Sequence, residues 1–185
     1  MSETVEMHVE GHVEAIKGWL ASYRDDVLEI RRAMLSEAPS PRARQTLAGV
    51  LSYQLRKMDL TPDWTPEIGM VDDAMVLRTG AAVFKINNLL ELPSDVEETI
   101  ERLSGEDAVV RAILGERYDD FFQRVRGLVE QRIHGRVPEE IIEDRAKRDE
   151  LLADLDRFLD AYHPAAIKDP EGFYFELLSY LGAKL

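Results

Sequence analysis

The fold is decided by the stretch VEAIKGWLASYRDDVLEIRRAM, Val13 to Met34. Val13, Ile16, Leu20, Tyr23, Val27, Ile30 and Met34 recur at alternating steps of three and four, which places them on one stripe of a 3.6-residue helix. Glu14, Lys17, Arg24, Asp25 and Arg31 fall between them and face away. The regularity extends over about three heptads, the least that a coiled coil needs. A long helix lining a bundle core is therefore the expected use of this stripe, and pairing with a second copy is the alternative. Either use requires other helices to cover it.

Those helices can be read outward from it. Ser40-Pro41 is a cap residue followed by proline at the first helical position, where a missing N–H costs nothing. Leu47, Val50, Leu51, Leu55 and Met58 mark the second helix, and an alanine-rich third helix is expected over Val71–Asn88. Ser94 with Glu97 has the spacing of a capping box, opening a short helix to about Leu103 that Ser104-Gly105 closes. Glu106 to His134 is helical, with Leu114, Tyr118, Phe121, Val125 and Leu128 on one face and Gly115 as a point of division. Beyond Gly135 and Pro138 a helix runs to Tyr162, with Leu152, Leu155, Leu159 and Tyr162 inward. His163-Pro164 and Asp169-Pro170 mark a turn, and a last helix, Phe173 to Leu181, is apolar all round, as a buried lid or a subunit contact would be. No stretch alternates with the period of a strand. The expected fold is all-α: one domain over 1–185, a bundle of six to eight helices with a helical hairpin at about 43–90 and a C-terminal helical region at about 94–185.

Composition narrows the function. With 45% hydrophobic and 32% charged residues the chain has the balance of a globular protein. It has no cysteine, which excludes disulfides, thiolate metal sites and cysteine nucleophiles. A net charge of −13 repels phosphate backbones and anionic lipid, so nucleic acid is not an expected partner. Basic residues gather at Arg124, Arg126, Arg132 and Arg136, ahead of an acidic segment from Pro138 to Asp160, and the two are expected to attract each other within the fold. The N-terminal MSETVEMHVEG is acidic and has no secretory signal, and no run reaches the ~18 apolar residues of a membrane span. A soluble, cytoplasmic protein is expected.

The most specific motif runs from Asp59 to Ala74, DLTPDWTPEIGMVDDA. Asp59, Pro62, Asp63, Pro66, Gly69, Asp72 and Asp73 match, in order and spacing, the signature of the bacterial YkvA-like family, and Ala48, Leu51 and Tyr53 fit its preceding helix. The resemblance covers roughly residues 43–84. Met58 stands where family members often have proline, and Thr61 where they usually have isoleucine. The family is a domain of unknown function, so the resemblance implies a helical hairpin and no particular activity. Many members carry hydrophobic segments suggestive of membrane attachment, which leaves peripheral membrane contact among the partners to consider.

The residues of the motif admit two readings of their own. Thr61-Pro62 and Thr65-Pro66 are turn or helix-start signals, Gly69 permits a close backbone approach, and Asp72 and Asp73 fall where carboxylates cap the first turn of the third helix. Asp59 and Asp63 can tie the loop in the same way. Alternatively Asp59, Asp63, Asp72 and Asp73, with Glu67, collect hard oxygen ligands of the kind that Mg²⁺, Mn²⁺ or Ca²⁺ takes, in a spacing unlike an EF-hand. Such a site would suit metal-dependent hydrolysis, but no Lys, Arg or His within the loop offers a transition-state partner.

Other candidates are weaker. His8 and His12 lie four apart, but the order His-Val-Glu-Gly-His misplaces the glutamate of a zincin. His134 and His163 precede helix breakers and read as C-terminal caps, and Asp119-Asp120 as a charged edge beside Phe121-Phe122. No Gly-x-Ser-x-Gly elbow or glycine-rich phosphate loop occurs. The sequence is read as a protein-interaction or scaffold module, with a protein partner or a homo-oligomer. A divalent-cation protein or metal-dependent hydrolase built on the acidic loop is the alternative.

Overall fold

The stripe from Val13 to Met34 does what its period dictates. In the computed structural model, which describes residues 3–56, 60–61, 65 and 67–185 (side chains of 3–7 excepted), all seven of its members are buried along one face of helix α1, Glu3–Leu35. This 33-residue helix is the spine of the molecule. The second and third helices, α2 (Pro41–Tyr53) and α3 (Val71–Asn87), pack against it and against each other. Ser40 caps α2 by accepting from the Ala43 amide at 3.2 Å. It also donates from its own amide to Asn88 Oδ1 (3.0 Å) and from its hydroxyl to the Asn87 carbonyl (2.9 Å). The start of α2 is thus bonded to the end of α3, which closes the expected hairpin. The second helix ends at Tyr53, leaving Leu55 in a half-buried turn; Met58 lies outside the described residues.

The third helix is buried on nearly every side. Only close approach allows this: a Cβ on Gly80 would collide with Val50 of α2, and one on Gly49 of α2 would lie 2.8 Å from the Leu128 carbonyl oxygen. A helix so covered has no solvent face for its polar residues, so Asp72, Asp73, Arg78 and Thr79 are all buried within it.

The fourth helix differs from expectation. α4 runs unbroken over Ser94–Leu114, through Ser104 and Gly105. Ser94 is its first residue and makes no capping bond, the cap position being Pro93. Gly105 is exposed, and its cost of roughly 1 kcal/mol in a helix interior is outweighed by the packing of the flanking turns on α3. The break comes at Gly115, whose φ of +56° lies in the left-handed region. A 3₁₀ turn at Gly115–Arg117 leads into α5, Tyr118–Gly127, and a second 3₁₀ turn follows at Leu128–Glu130.

Ile133 and Arg136 exchange two backbone hydrogen bonds across His134 (φ +49°) and Gly135 (φ +77°), an isolated bridge and not a strand. The helix expected to reach Tyr162 is two: α6 (Pro138–Glu143) and α7 (Arg145–Ala161), parted at Asp144, whose carboxylate caps α7 by accepting from the Ala146 amide at 2.8 Å. Leu151 takes the inward place expected of Leu152, which is half-buried. Against α1, α7 sets Phe158 edge-on to Tyr23, and Tyr162 just beyond it donates its hydroxyl to the Leu20 carbonyl at 2.7 Å. The last helix, α8 (Pro170–Lys184), is capped by Asp169 and closes the core with Phe173, Tyr174, Leu177 and Leu181. Its other face is not fully covered: Phe175 is 53% exposed.

Among the described residues the chain is all-α, with eight α-helices, no strand, and no helix long and apolar enough to cross a membrane.

Candidate functional site

The acidic hairpin is the first place to look. Asp72 and Asp73 open α3, yet α3 has no side-chain cap at its N-cap position, Met70. The Asp72 carboxylate reaches back over the loop. One oxygen accepts from the Tyr53 hydroxyl (2.8 Å) and the Leu60 amide (3.2 Å), and the other accepts from the Thr61 hydroxyl. Asp72 is a tie between the end of α2, the loop and the start of α3. Burial raises its pKa above the ordinary carboxylate range, against the lowering effect of the bonds from Thr61, Tyr53 and Leu60. Asp73 is also buried; burial, helped by the Asp73 charge, pushes the Tyr162 hydroxyl up to about 12. Asp59 and Asp63, the other two expected ligands, lie outside the described residues, and Glu67 is half-buried. Among the described residues, no group of three His, Asp or Glu side chains is placed to hold a metal ion.

Two further polar clusters were not foreseen. Arg78 of α3 is wholly buried, and its guanidinium donates to Asp26 of α1 (3.1 Å), to Glu106 of α4 (2.7 Å) and to the Ala74 carbonyl (2.9 Å). It lies 4.6 Å from the centroid of the Trp19 ring, a cation–π contact. Arg102 of α4 joins from the rim, donating to Asp26 (2.7 Å) and Glu29 (3.1 Å). Three helices are locked by one charged lattice. Its signal was present in the sequence: Asp26 stands three residues after Tyr23 and four before Ile30, on the apolar stripe, and Arg78 sits in the middle of an apolar helix. In the second cluster Asp107 accepts from Thr79 (2.5 Å) and from the Tyr118 hydroxyl. Burial, and then Asp107, hold the Tyr118 hydroxyl far above the ordinary phenol range, while Arg111 lies 3.9 Å from its ring centroid. The buried members of both clusters, Asp26, Arg78 and Asp107, are bonded within the fold, while Arg102, Glu29 and Glu106 are partly exposed at the rim of the first.

Two of the four histidines make structural contacts. His12 Nδ1 is 2.8 Å from the Tyr174 hydroxyl, docking α8 on α1, and burial followed by the neighbouring His8 lowers its pKa. His134 sits in the left-handed turn and not at a helix end; its Nε2 is 2.8 Å from the Leu55 carbonyl, so it serves the segment after α2. Asp119 and Asp120 are exposed beside buried Phe121, as expected. The basic and acidic segments do meet: Arg136 pairs with Asp154 (2.6 Å) and Arg132 with Glu140 (3.1 Å).

Among the described residues, three of the large apolar side chains most exposed to solvent stand close together in the sequence. Ile86 is 64% exposed, Leu89 94% and Leu90 55%, where α3 gives way to the α4 connection. Leu35, at the end of α1, is exposed as well, and Ser40 of the following turn bonds Asn87 and Asn88 of this segment. Compared with protein-family models, curated proteins and solved structures, the chain matches none. None of these comparisons supports the YkvA-like resemblance, which rests on the sequence motif alone.

Proposed function

We propose that the protein is an interaction module whose working contact is the exposed apolar segment around Leu89, and that a second copy of the chain is its partner. The observation that carries this reading is the near-complete exposure of Leu89, between Ile86 and Leu90, in a connection that hydrogen bonds hold in place. Scattered surface leucines need no explanation, but a contiguous group does. Exposed residues of both signs, Lys85 and Glu91, flank it in the sequence, which suits a two-fold contact in which one patch faces its own copy. Ile86, Leu89 and Leu90 are worth about 1.5–3 kcal/mol each when fully buried, a sum comparable with the cost of association. The contact is accordingly reversible and not obligate. A divalent cation on Asp59, Asp63, Asp72 and Asp73 has less support, since the lone pairs of Asp72 are engaged by Tyr53, Leu60 and Thr61.

Sedimentation velocity from micromolar to submillimolar protein tests the reading. The expected result is concentration-dependent dimerisation that Leu89→Asp with Leu90→Asp abolishes at unchanged helicity, while Phe175→Asp on α8 leaves it intact. A single monomer boundary across that range overturns it.

A further inference from the structure

On the other side of the hairpin loop a cleft of about 390 Å³ opens between the end of α2, α3, α5 and α8. Its size is that of a small-molecule site. The floor is apolar, built from Leu60, Val76, Phe121 and Leu128, all buried. Its charged lining is of one sign. Arg56, Arg124 and Lys184 border it, and no Asp or Glu does so among the described residues, in a chain where acids outnumber bases 36 to 23. Elsewhere in the molecule the buried arginines, Arg78 and Arg136, are matched to carboxylates. Here, among the described residues, Arg56 donates to the neutral Gln131 amide oxygen (3.3 Å), with its guanidinium 5.6 Å from the Tyr53 ring centroid, and Arg124 donates to the Lys184 carbonyl (2.6 Å). Neither makes an ion pair with a described residue. Guanidinium groups held in place by neutral acceptors keep donors for an incoming anion, and their planar fork suits a carboxylate or phosphate.

We propose that this cleft binds a small amphipathic anion, its acidic head against Arg56 and Arg124 and its apolar body over Phe121, Val76 and Leu128. The proposal is independent of the exposed apolar segment and of self-association. It also gives the hairpin motif a purpose. Asp72 receives the Tyr53 hydroxyl and the Leu60 amide, and Tyr53 and Leu60 are both walls of the cleft, so the buried aspartate positions the wall on which the ligand rests. A free inorganic anion would leave the floor unused, and a neutral alkyl chain would leave the guanidinium groups unpaired. Head and tail are both required.

Isothermal titration of the full chain separates these contributions, with decanoate and decyl phosphate as probes, decanol as the neutral tail, and acetate and inorganic phosphate as the tail-less heads. The expected result is saturable one-to-one binding of decanoate or decyl phosphate, whichever head fits better, at least tenfold tighter than decanol or the tail-less anion. Arg124→Gln and Arg56→Gln should each weaken it by tenfold or more. Arg124 is exposed and bonds only a carbonyl, so its variant keeps the fold, and circular dichroism verifies that for both. Absence of saturable binding by both charged probes at millimolar concentration overturns the proposal. So does decanol binding as tightly as decanoate, or affinity unchanged in both arginine variants.

Discussion

Replacing Arg78 by methionine tests what holds α1, α3 and α4 together. The substitution preserves much of the apolar stem and removes the charge. Asp26 is fully buried, and it would keep only Arg102, which is itself partly exposed, and the Ser22 hydroxyl at 2.9 Å. Removing one partner of a buried ion pair costs about 3–5 kcal/mol, mostly through the charge left behind. For a chain of this size each kcal/mol moves the melting temperature by roughly 2–4 °C, so Arg78→Met should melt about 6–20 °C lower. Thermal unfolding followed by circular dichroism at neutral pH measures it. The loss should persist in high salt, because a buried pair is screened little. The double variant Asp26→Leu, Arg78→Met removes both buried charges, while Glu106 and Arg102 can turn to solvent. It should recover much of the loss, since a buried pair exchanged for apolar residues is often neutral or stabilising. Arg78→Met melting within about 2 °C of the wild type, or a double variant worse than the sum of the singles, would refute the reasoning.

Three further outcomes follow from the same contacts. Gly49→Ala, which in an exposed helix would stabilise by about 1 kcal/mol, should here destabilise by about 1–3 kcal/mol, because its methyl would press on the Leu128 carbonyl; denaturant unfolding reads the sign. The raised pKa of Asp72 means that its folded form holds a proton that the unfolded form has released. Its stability contribution is therefore full below the ordinary carboxylate pKa and lost as pH rises through the folded value, so stability relative to Asp72→Asn should fall across that window; a flat difference contradicts this. Millimolar Mg²⁺, Mn²⁺ or Ca²⁺ should leave the melting temperature unchanged, given the donors already on Asp72; a rise that Asp72→Asn removes would restore the cation reading.

The fold was readable where apolar residues dominate the inward positions. The α1 stripe predicted its own burial residue by residue, and the Ser40-Pro41 cap placed the start of α2 correctly. Of the four aspartates expected as cation ligands, Asp72 and Asp73 are among the described residues, and local spacing made them caps or ligands when Asp72 in fact bonds Leu60, twelve residues upstream. A carboxylate beside a helix start carries no sign of whether it turns forward to the helix or back to a loop. The cleft was no more visible, since Arg56 follows α2 while Arg124 lies in α5 and Lys184 at the end of α8.

The reading of α4 shows why the remainder was hidden. Val96, Ile100, Leu103, Asp107, Val110 and Leu114 keep steps of four and three without interruption, and all are buried. The aspartate at the fourth position interrupts the apolar run after Leu103, next to the Ser104-Gly105 pair that reads as a helix end. Gly105 lies on the solvent side, where a glycine only weakens a helix, whereas Gly115 follows the last inward residue and turns the chain with a positive φ. Asp107 can hold an inward position because Thr79, 28 residues earlier, and Tyr118 donate to it. Asp26 holds its position through Arg78, 52 residues away. In both instances the cost of burying a charge is met by a partner on a different helix, which no local window contains. A polar residue in phase with an apolar stripe is thus evidence that the helix continues and that its partner lies on another helix, as Asp26 with Arg78 joins α1 to α3 and Asp107 with Thr79 joins α4 to α3.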